Sequence, residues 1–261
     1  MKTLQSIGYI LALPVVLLTT WWIVSYDSTN VYFPSLQRIL AAFPATWLDG
    51  GGESRLVVDG FASIWRLLFG FVAATVIAVS LGTLIGLLPR VRAFCEPTLE
   101  LFRAIPGPVL VPIIGLFAGI GDTMKIIVVL LGCLWPILLN TVEGVRAVDS
   151  VMIDTARSYR LSARRRIFTL ILPAASPQIL AGMRQGLSVG IILMVISEMF
   201  AATNGLGFSV VQFQRNFALP EMWTGIIVLG LLGLVASVVF QYFESHSLRW
   251  YTGMRRAARD A

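Results

Sequence analysis

Charge is what this sequence has least of. Asp, Glu, Lys and Arg make up 13% of 261 residues, against 57% hydrophobic residues. A water-soluble domain carries roughly a quarter of its residues as charges, because its surface must be wetted, so a soluble globular enzyme or binding module is excluded. Cysteine is almost missing: the 2 present, Cys95 and Cys133, fall in a predicted inner loop and inside a predicted span, so no disulfide framework exists. The single histidine, His246, and two separated cysteines form no zinc set of recognisable spacing. The sequence also lacks a G-x-x-x-x-G-K phosphate loop and a nucleophile elbow or legible triad. No chemistry is therefore written on this chain, and any ATP that drives it must bind another subunit.

What is present is length without charge. The mean hydropathy is +0.81. About 20 apolar residues cross a bilayer as a helix, and backbone groups in lipid must be paired internally. Six runs qualify, at about 7–24, 61–88, 98–117, 124–142, 179–202 and 223–243. Arg66 interrupts the second near its start, and Arg103 stands near the beginning of the third. Unbroken runs rule out the short alternating segments of a transmembrane β-barrel. The first run follows Lys2 but is longer than a signal-peptide h-region and precedes no small-x-small cleavage site, so it reads as a retained helix. The expectation is an all-α membrane protein of about six transmembrane helices, with residues 1–261 forming a single transmembrane domain.

Charge gives the bundle a direction. If the N-terminus is cytoplasmic, the inner segments hold fifteen basic residues: Lys2, Arg90, Arg92, Arg103, Arg146, Arg157, Arg160, Arg164, Arg165, Arg166, Arg184, Arg249, Arg255, Arg256 and Arg259. The outer segments hold five, Arg38, Arg55, Arg66, Lys125 and Arg215, which completes the total of 20. This asymmetry satisfies the positive-inside rule with both termini cytoplasmic. It also accounts for a pI of 9.8 without nucleic acid, since the basic residues are not interleaved with stacking aromatics on a soluble domain.

The most informative inner stretch is the loop 143–177. Asp149 and Ser150 suit a helix N-cap, and Asp154 complements the helix dipole in the first turns. Met152, Ala156 and Tyr159 recur at helical spacing as an apolar stripe, while Arg157, Arg160 and Arg164 predict a neighbouring basic one. Ser162 can cap a second helix, and Pro173 and Pro177 punctuate the return to the membrane. On these residues alone, two readings stand level: an amphipathic helix lying on anionic lipid, or one docking into a groove on another protein.

Asp154-Thr-Ala-Arg-Ser-Tyr-Arg-Leu-Ser162, then Ile171-Leu-Pro-Ala-Ala-Ser-Pro177 and Ile179-Leu-Ala-Gly-Met-Arg184, resembles the EAA loop of ABC importer permeases. Phe102-Arg-Ala-Ile-Pro-Gly-Pro-Val-Leu-Val-Pro112 with Gly119-Ile-Gly-Asp122, Ser197-Glu-Met-Phe200 with Gly205-Leu-Gly207, and Phe33-Pro-Ser35 resemble further segments of the nitrate/sulfonate/taurine branch. The resemblance implies a type I ABC importer permease in a bacterial inner membrane, with Asp154, Ala156, Arg157, Ser158, Tyr159, Arg160, Leu161 and Ser162 forming the coupling helix. It implies two ATPase subunits that carry ATP and Mg, no cofactor on this chain, a second permease copy, and a periplasmic or lipid-anchored solute-binding protein. The implied cargo is a small organic anion or oxyanion such as an aliphatic sulfonate, taurine or nitrate, with a neutral pyrimidine-like solute as the alternative. The chain departs from the family at Asp154-Thr155, where Glu-Ala is usual, and at Arg160, where the family has a glycine. Arg160 must therefore adopt a left-handed conformation or let the helix run on to Ser162.

Within the spans, Glu198 is the sole deeply placed carboxylate. An ionised carboxylate is expensive in hydrocarbon, so it either pairs with a neighbouring helix or contacts the pathway. Pro106, Pro108 and Pro112 remove three amide donors and forbid a regular helix, which membranes tolerate where backbone lines a cavity or packs inside a bundle. Arg103 is a candidate for an inner gate or for snorkelling to the inner headgroups. Gly70, Gly82, Gly86, Gly182, Gly186 and Gly190 are expected to allow close helix packing. A secondary transporter would normally have more embedded ionisable groups than Glu198 alone. A membrane scaffold remains compatible with the composition.

Overall fold

The apolar runs of the sequence are largely helical, with a break in the third, in the computed structural model, which describes residues 2–200, 202–251 and 253–254, with side chains from residue 12 onward. The helices are α1 (Lys2–Ser25), α2 (Leu36–Trp47), α3 (Arg55–Leu87), α4 (Pro89–Arg103), α5 (Leu110–Ala118), α6 (Asp122–Arg146), α7 (Ser150–Ser158), α8 (Ala163–Arg166), α9 (Leu172–Phe200), α10 (Leu206–Arg215) and α11 (Leu219–Ser247). Among the described residues, α3, α6, the continuous rod Ala163–Phe200 and α11 are each long and apolar enough to span a membrane. The pair α4 and Gly107–Ala118 makes a fifth span if counted together, and Ala12–Ser25 is a shorter apolar helix. Of the basic residues behind the predicted orientation, the Lys2 side chain and Arg255, Arg256 and Arg259 lie outside the described residues.

Two compact units divide the chain. The first comprises residues 1–62 and 204–230. Its core is Trp47, fully buried, whose indole Nε1 donates to Thr224 Oγ1 at 2.7 Å and whose ring meets Phe213 edge-on. Trp21, Phe33 and Trp223 form a second aromatic cluster. Ser35 caps α2, accepting from Arg38 N. The buried Asp59 carboxylate accepts from Gly205 N at 2.9 Å and from Ser209 Oγ, so it neutralises the N-terminal end of α10 from outside that helix.

The second unit, residues 63–203 and 231–261, is organised around α6. The six glycines singled out from the sequence all face it. A Cβ at Gly70, Gly82 or Gly86 would lie within 3.0 Å of Val129, Thr141 or Val145 respectively, in a parallel register of α3 on α6. Gly182, Gly186 and Gly190 approach Asn140, Ile137 and Cys133, in an antiparallel register of α9 on α6. Without side chains at these points the backbones close up, and packing replaces the hydrophobic drive that lipid does not supply. Leu67, Phe71, Val129, Cys133, Ile137, Leu187 and Met194 fill the resulting core.

Three expectations are corrected. The third span is not continuous: α4 ends at Arg103, a 3₁₀ turn covers Gly107–Val109, and α5 departs at 81° to α4. Proline explains the break, since Pro106 and Pro108 supply no amide hydrogen and Pro112 is tolerated in the first turn of α5, where donors are orphaned anyway. The return to the membrane is not punctuated by Pro173 and Pro177, for one 38-residue rod runs from Ala163 through both to Phe200. A π-helical segment, Ile167–Ile171, precedes Pro173, and Leu172 N bonds back to Ile167 O. The wider turn absorbs the proline ring and its missing donor. Finally, Arg157, Arg160 and Arg164 share no stripe, because α7 stops at Ser158 and Arg164 belongs to α8.

Candidate functional sites: a polar-capped inner loop and a buried ion network

The loop is built by local capping. Asp149 Oδ1 accepts from Val151 N at 2.8 Å and starts α7. Arg160 ends it with φ of 55°, so the left-handed alternative is the one adopted. Leu161 N reaches back to Ala156 O at 3.0 Å and Arg160 N to Arg157 O at 2.8 Å, satisfying carbonyls the helix end would orphan. A non-glycine residue held there costs about 1–2 kcal/mol. Ser162 Oγ then accepts from Arg165 N and starts α8.

The result is a short helix anchored by one small residue. Ala156 is buried, Leu161 half-buried, and Asp154, Arg157, Ser158, Tyr159, Arg160 and Ser162 are exposed. Val151 and Tyr159 are large apolar or aromatic groups at 68% and 78% exposure, which is what a docking face rather than a core looks like. Val151, Met152, Thr155, Tyr159, Leu161 and Leu170 line an open cavity of about 500 Å³ beside it. Asp154 and Arg157 pair at 3.0 Å in solvent, where such a bridge contributes little and either partner is free to re-pair.

Glu198 ends up at the other extreme, with 0% exposure. Ser63 Oγ donates to both of its oxygens, at 2.8 and 2.9 Å. Arg66, itself 1% exposed, donates Nη1 to Glu198 Oε1 at 2.8 Å and Nε to Asp122 Oδ1 at 2.8 Å. Lys125 Nζ lies 3.8 Å from the same Asp122 oxygen. Two cations and two carboxylates thus balance, joining α3, α6 and α9. Asp122, with its side chain half exposed, is the solvent-facing end and sits in the first turn of α6, where a carboxylate is favoured.

Arg66, Ser63, Asp122 and Lys125 were not singled out as site residues from the sequence. The signal existed: Arg66 is the lone cation of its run and Glu198 the sole deeply placed carboxylate of the spans, and opposite charges buried singly must meet. Of the other candidates, Arg103 pairs within α4 with Glu100 at 3.1 Å, both groups exposed, and takes no part in this network. Pro106, Pro108 and Pro112 form the bend between α4 and α5. The loop and Glu198 are not neighbours but occupy opposite ends of the rod Ala163–Phe200, roughly 50 Å apart at 1.5 Å per residue.

Comparison with known proteins agrees with this architecture. The family model described as "Binding-protein-dependent transport system inner membrane component" matches residues 67–249. The taurine transport system permease protein TauC of Escherichia coli (strain K12) is 31% identical over 90% of this chain and 87% of its own length. The putative aliphatic sulfonates transport permease protein SsuC of Bacillus subtilis (strain 168) is 27% identical over 92% and 86%. The nitrate import permease protein NrtB of Synechocystis sp. (strain ATCC 27184 / PCC 6803 / Kazusa) is 29% identical over 88% and 85%. A solved structure of the MetNI methionine ABC transporter in an inward-facing conformation shares the fold, with a TM-score of 0.64 at 16% identity, covering 72% of this chain and 93% of that one. The chain belongs to the binding-protein-dependent transport system inner membrane components and is a membrane permease of the ABC-importer type.

Proposed function

We propose that this permease imports a small organic anion or oxyanion of the sulfonate, taurine or nitrate kind, as a homodimer driven by two separate ATPase subunits and fed by an extracytoplasmic solute-binding protein. The single observation that carries the reading is the exposed face of α7. Val151, Met152 and Tyr159 line an apolar groove, and the same short helix carries the exposed Asp154–Arg157 pair, a surface suited to inserting into a cleft on another protein. The charge asymmetry supports a cytoplasmic position for this loop and both termini, on the side where ATP is. One copy offers one such loop, so paired ATPases call for two copies.

The mechanism is alternating access. ATP binding draws the ATPases together and carries α7 with them. The rod from Ala163 to Phe200 is continuous, so displacement at the loop is delivered to Glu198 and, through Arg66, to α3 and α6. A balanced, desolvated ion network has few alternative arrangements, which suits a joint between discrete states. ATP and Mg act on the ATPase chains, and the solute is moved rather than transformed. The cargo class is supported by the relatives TauC, SsuC and NrtB, described as taurine, aliphatic sulfonate and nitrate permeases.

The test is uptake in vesicles containing the permease, its ATPase and its binding protein. Reversing the exposed pair (Asp154→Arg or Arg157→Glu) changes a contact that contributes at most about 1 kcal/mol to stability, so the protein remains inserted and assembled. ATP-driven uptake of taurine should nevertheless fall at least tenfold. Full uptake in both variants would refute a coupling role for α7, and a cytoplasmic reporter signal from residues 49–54 would overturn the orientation.

A further inference from the structure

The exposed faces of the spanning helices are not alike. Those of α3 and α11 present Phe61, Leu68, Val72, Leu234 and Val238 and their neighbours, the composition lipid accepts. In the middle of α9 the exposed positions Arg184, Gln185 and Ser188 are instead polar, one to four residues apart and therefore on one side of the helix, with the apolar Ile192 following one turn later. They lie ten to fourteen residues before Glu198, or roughly 15–21 Å along the helix, well inside an apolar rod. Polar side chains at that depth face a bundle interior or a water-filled cavity, and these three are exposed among the described residues.

Each group is also held in a defined orientation. Arg184 donates Nε, at 3.0 Å, and Nη2 to Glu244 Oε2 of α11, and the Glu244 carboxylate is mostly buried while the Arg184 side chain is 56% exposed. The second amino group, Nη1, has no partner among the described residues. Gln185 Oε1 accepts from Asn140 Nδ2 of α6 at 3.3 Å, and Asn140 is itself fixed by a 2.8 Å bond to Pro136 O. Gln185 is exposed, and its Nε2 donor has no hydrogen-bond partner among the described residues. Ser188 Oγ donates to Arg184 O at 3.3 Å, a long bond that a better acceptor would displace.

We infer that Arg184, Gln185 and Ser188 form a hydrated wall of the translocation pathway and contact the solute, supplying an outward guanidinium edge, an amide donor and a hydroxyl donor to the oxygens of an oxyanion. Neutralisation by Glu244 keeps the guanidinium from trapping the anion: conduction requires contact favourable enough to enter and weak enough to leave. The assignment rests on the importer reading above and adds the residues that touch the cargo. It moves the anion contact away from Arg103, which is engaged within its own helix.

The experiment is thiol accessibility in vesicles containing the complete transporter, using a background of Cys95→Ser and Cys133→Ala that retains uptake. Gln185→Cys and Ser188→Cys should react with a charged methanethiosulfonate reagent at least tenfold faster than Leu234→Cys on α11, and 10 mM taurine should slow the reaction. Rates equal to that of Leu234→Cys would place the stripe against lipid and overturn the inference while leaving ATP-driven uptake, and so the importer reading, intact. Gln185→Leu and Ser188→Ala, neither of which disturbs the Arg184–Glu244 pair, should together raise the half-saturating taurine concentration about tenfold with the protein still assembled. An unchanged value would likewise refute solute contact.

Discussion

Removing the carboxylate at Glu198 takes a close ionic partner from a buried guanidinium. Arg66 is 1% exposed and Glu198 0%, so Glu198→Leu leaves the guanidinium with Asp122 as a carboxylate partner and removes the Glu198 oxygens to which Ser63 donates. The former balance of two cations and two carboxylates becomes a net positive charge in a desolvated site. Breaking a buried pair in this way costs about 3–5 kcal/mol, whereas replacing both partners by apolar groups of similar volume is often neutral. For a chain of 150–250 residues each kcal/mol shifts Tm by about 2–4 °C. Glu198→Leu and Arg66→Met should therefore each lower Tm by roughly 10 °C, read as the loss of a monodisperse peak after heating in detergent. The double variant Arg66→Met/Glu198→Leu keeps Asp122 beside Lys125 and should recover more than half of that loss, giving a coupling of about 2 kcal/mol or more in the mutant cycle. Losses that simply add would show that the 2.8 Å contact carries no interaction energy, and the network would not be the joint proposed.

Further outcomes follow from the same geometry. Arg160→Gly should stabilise the loop by about 0.5–1 kcal/mol, the left-handed cost less glycine's entropy, and preserve uptake; Arg160→Val should slow uptake, because a β-branched residue resists the φ of 55°. Gly182→Ala places a Cβ 2.6 Å from Asn140 Cβ and 2.9 Å from Pro136 O, so α6 and α9 must separate and Tm should fall by the equivalent of about 1–3 kcal/mol; an unchanged Tm would contradict the packing register. Asp59→Ala removes the acceptor of Gly205 N and Ser209 Oγ and should cost about 1–2 kcal/mol, as loss of a helix cap does, measured as faster proteolysis of residues 204–218.

Several features were legible without coordinates because they are consequences of local or bulk chemistry. The apolar runs predict helices since lipid leaves the backbone no other partner. Asp149 and Ser162 were recognisable as caps because capping is decided within four residues, and the structure starts α7 and α8 there. The packing role of the glycines was readable from the sequence, and so was the helix break at Pro106 and Pro108 from their missing amide hydrogens, although a regular helix resumes at Leu110 and includes Pro112. By contrast, the choice that Arg160 made between two permitted conformations depended on Leu161 N finding Ala156 O. Pro173 looked like a stop, yet the π turn before it carried the helix on.

By itself, then, the sequence determined a helical membrane protein, its charge asymmetry and the position of its inner loop, all properties summed along neighbouring residues. Only the tertiary structure decided that Arg66, Asp122 and Lys125 are the company of Glu198, and that Arg184, Gln185 and Ser188 stand uncovered in the middle of a span. Those are facts about which helix faces which. They are set by where six glycines let α3 and α9 close on α6, a choice distributed over residues more than a hundred positions apart.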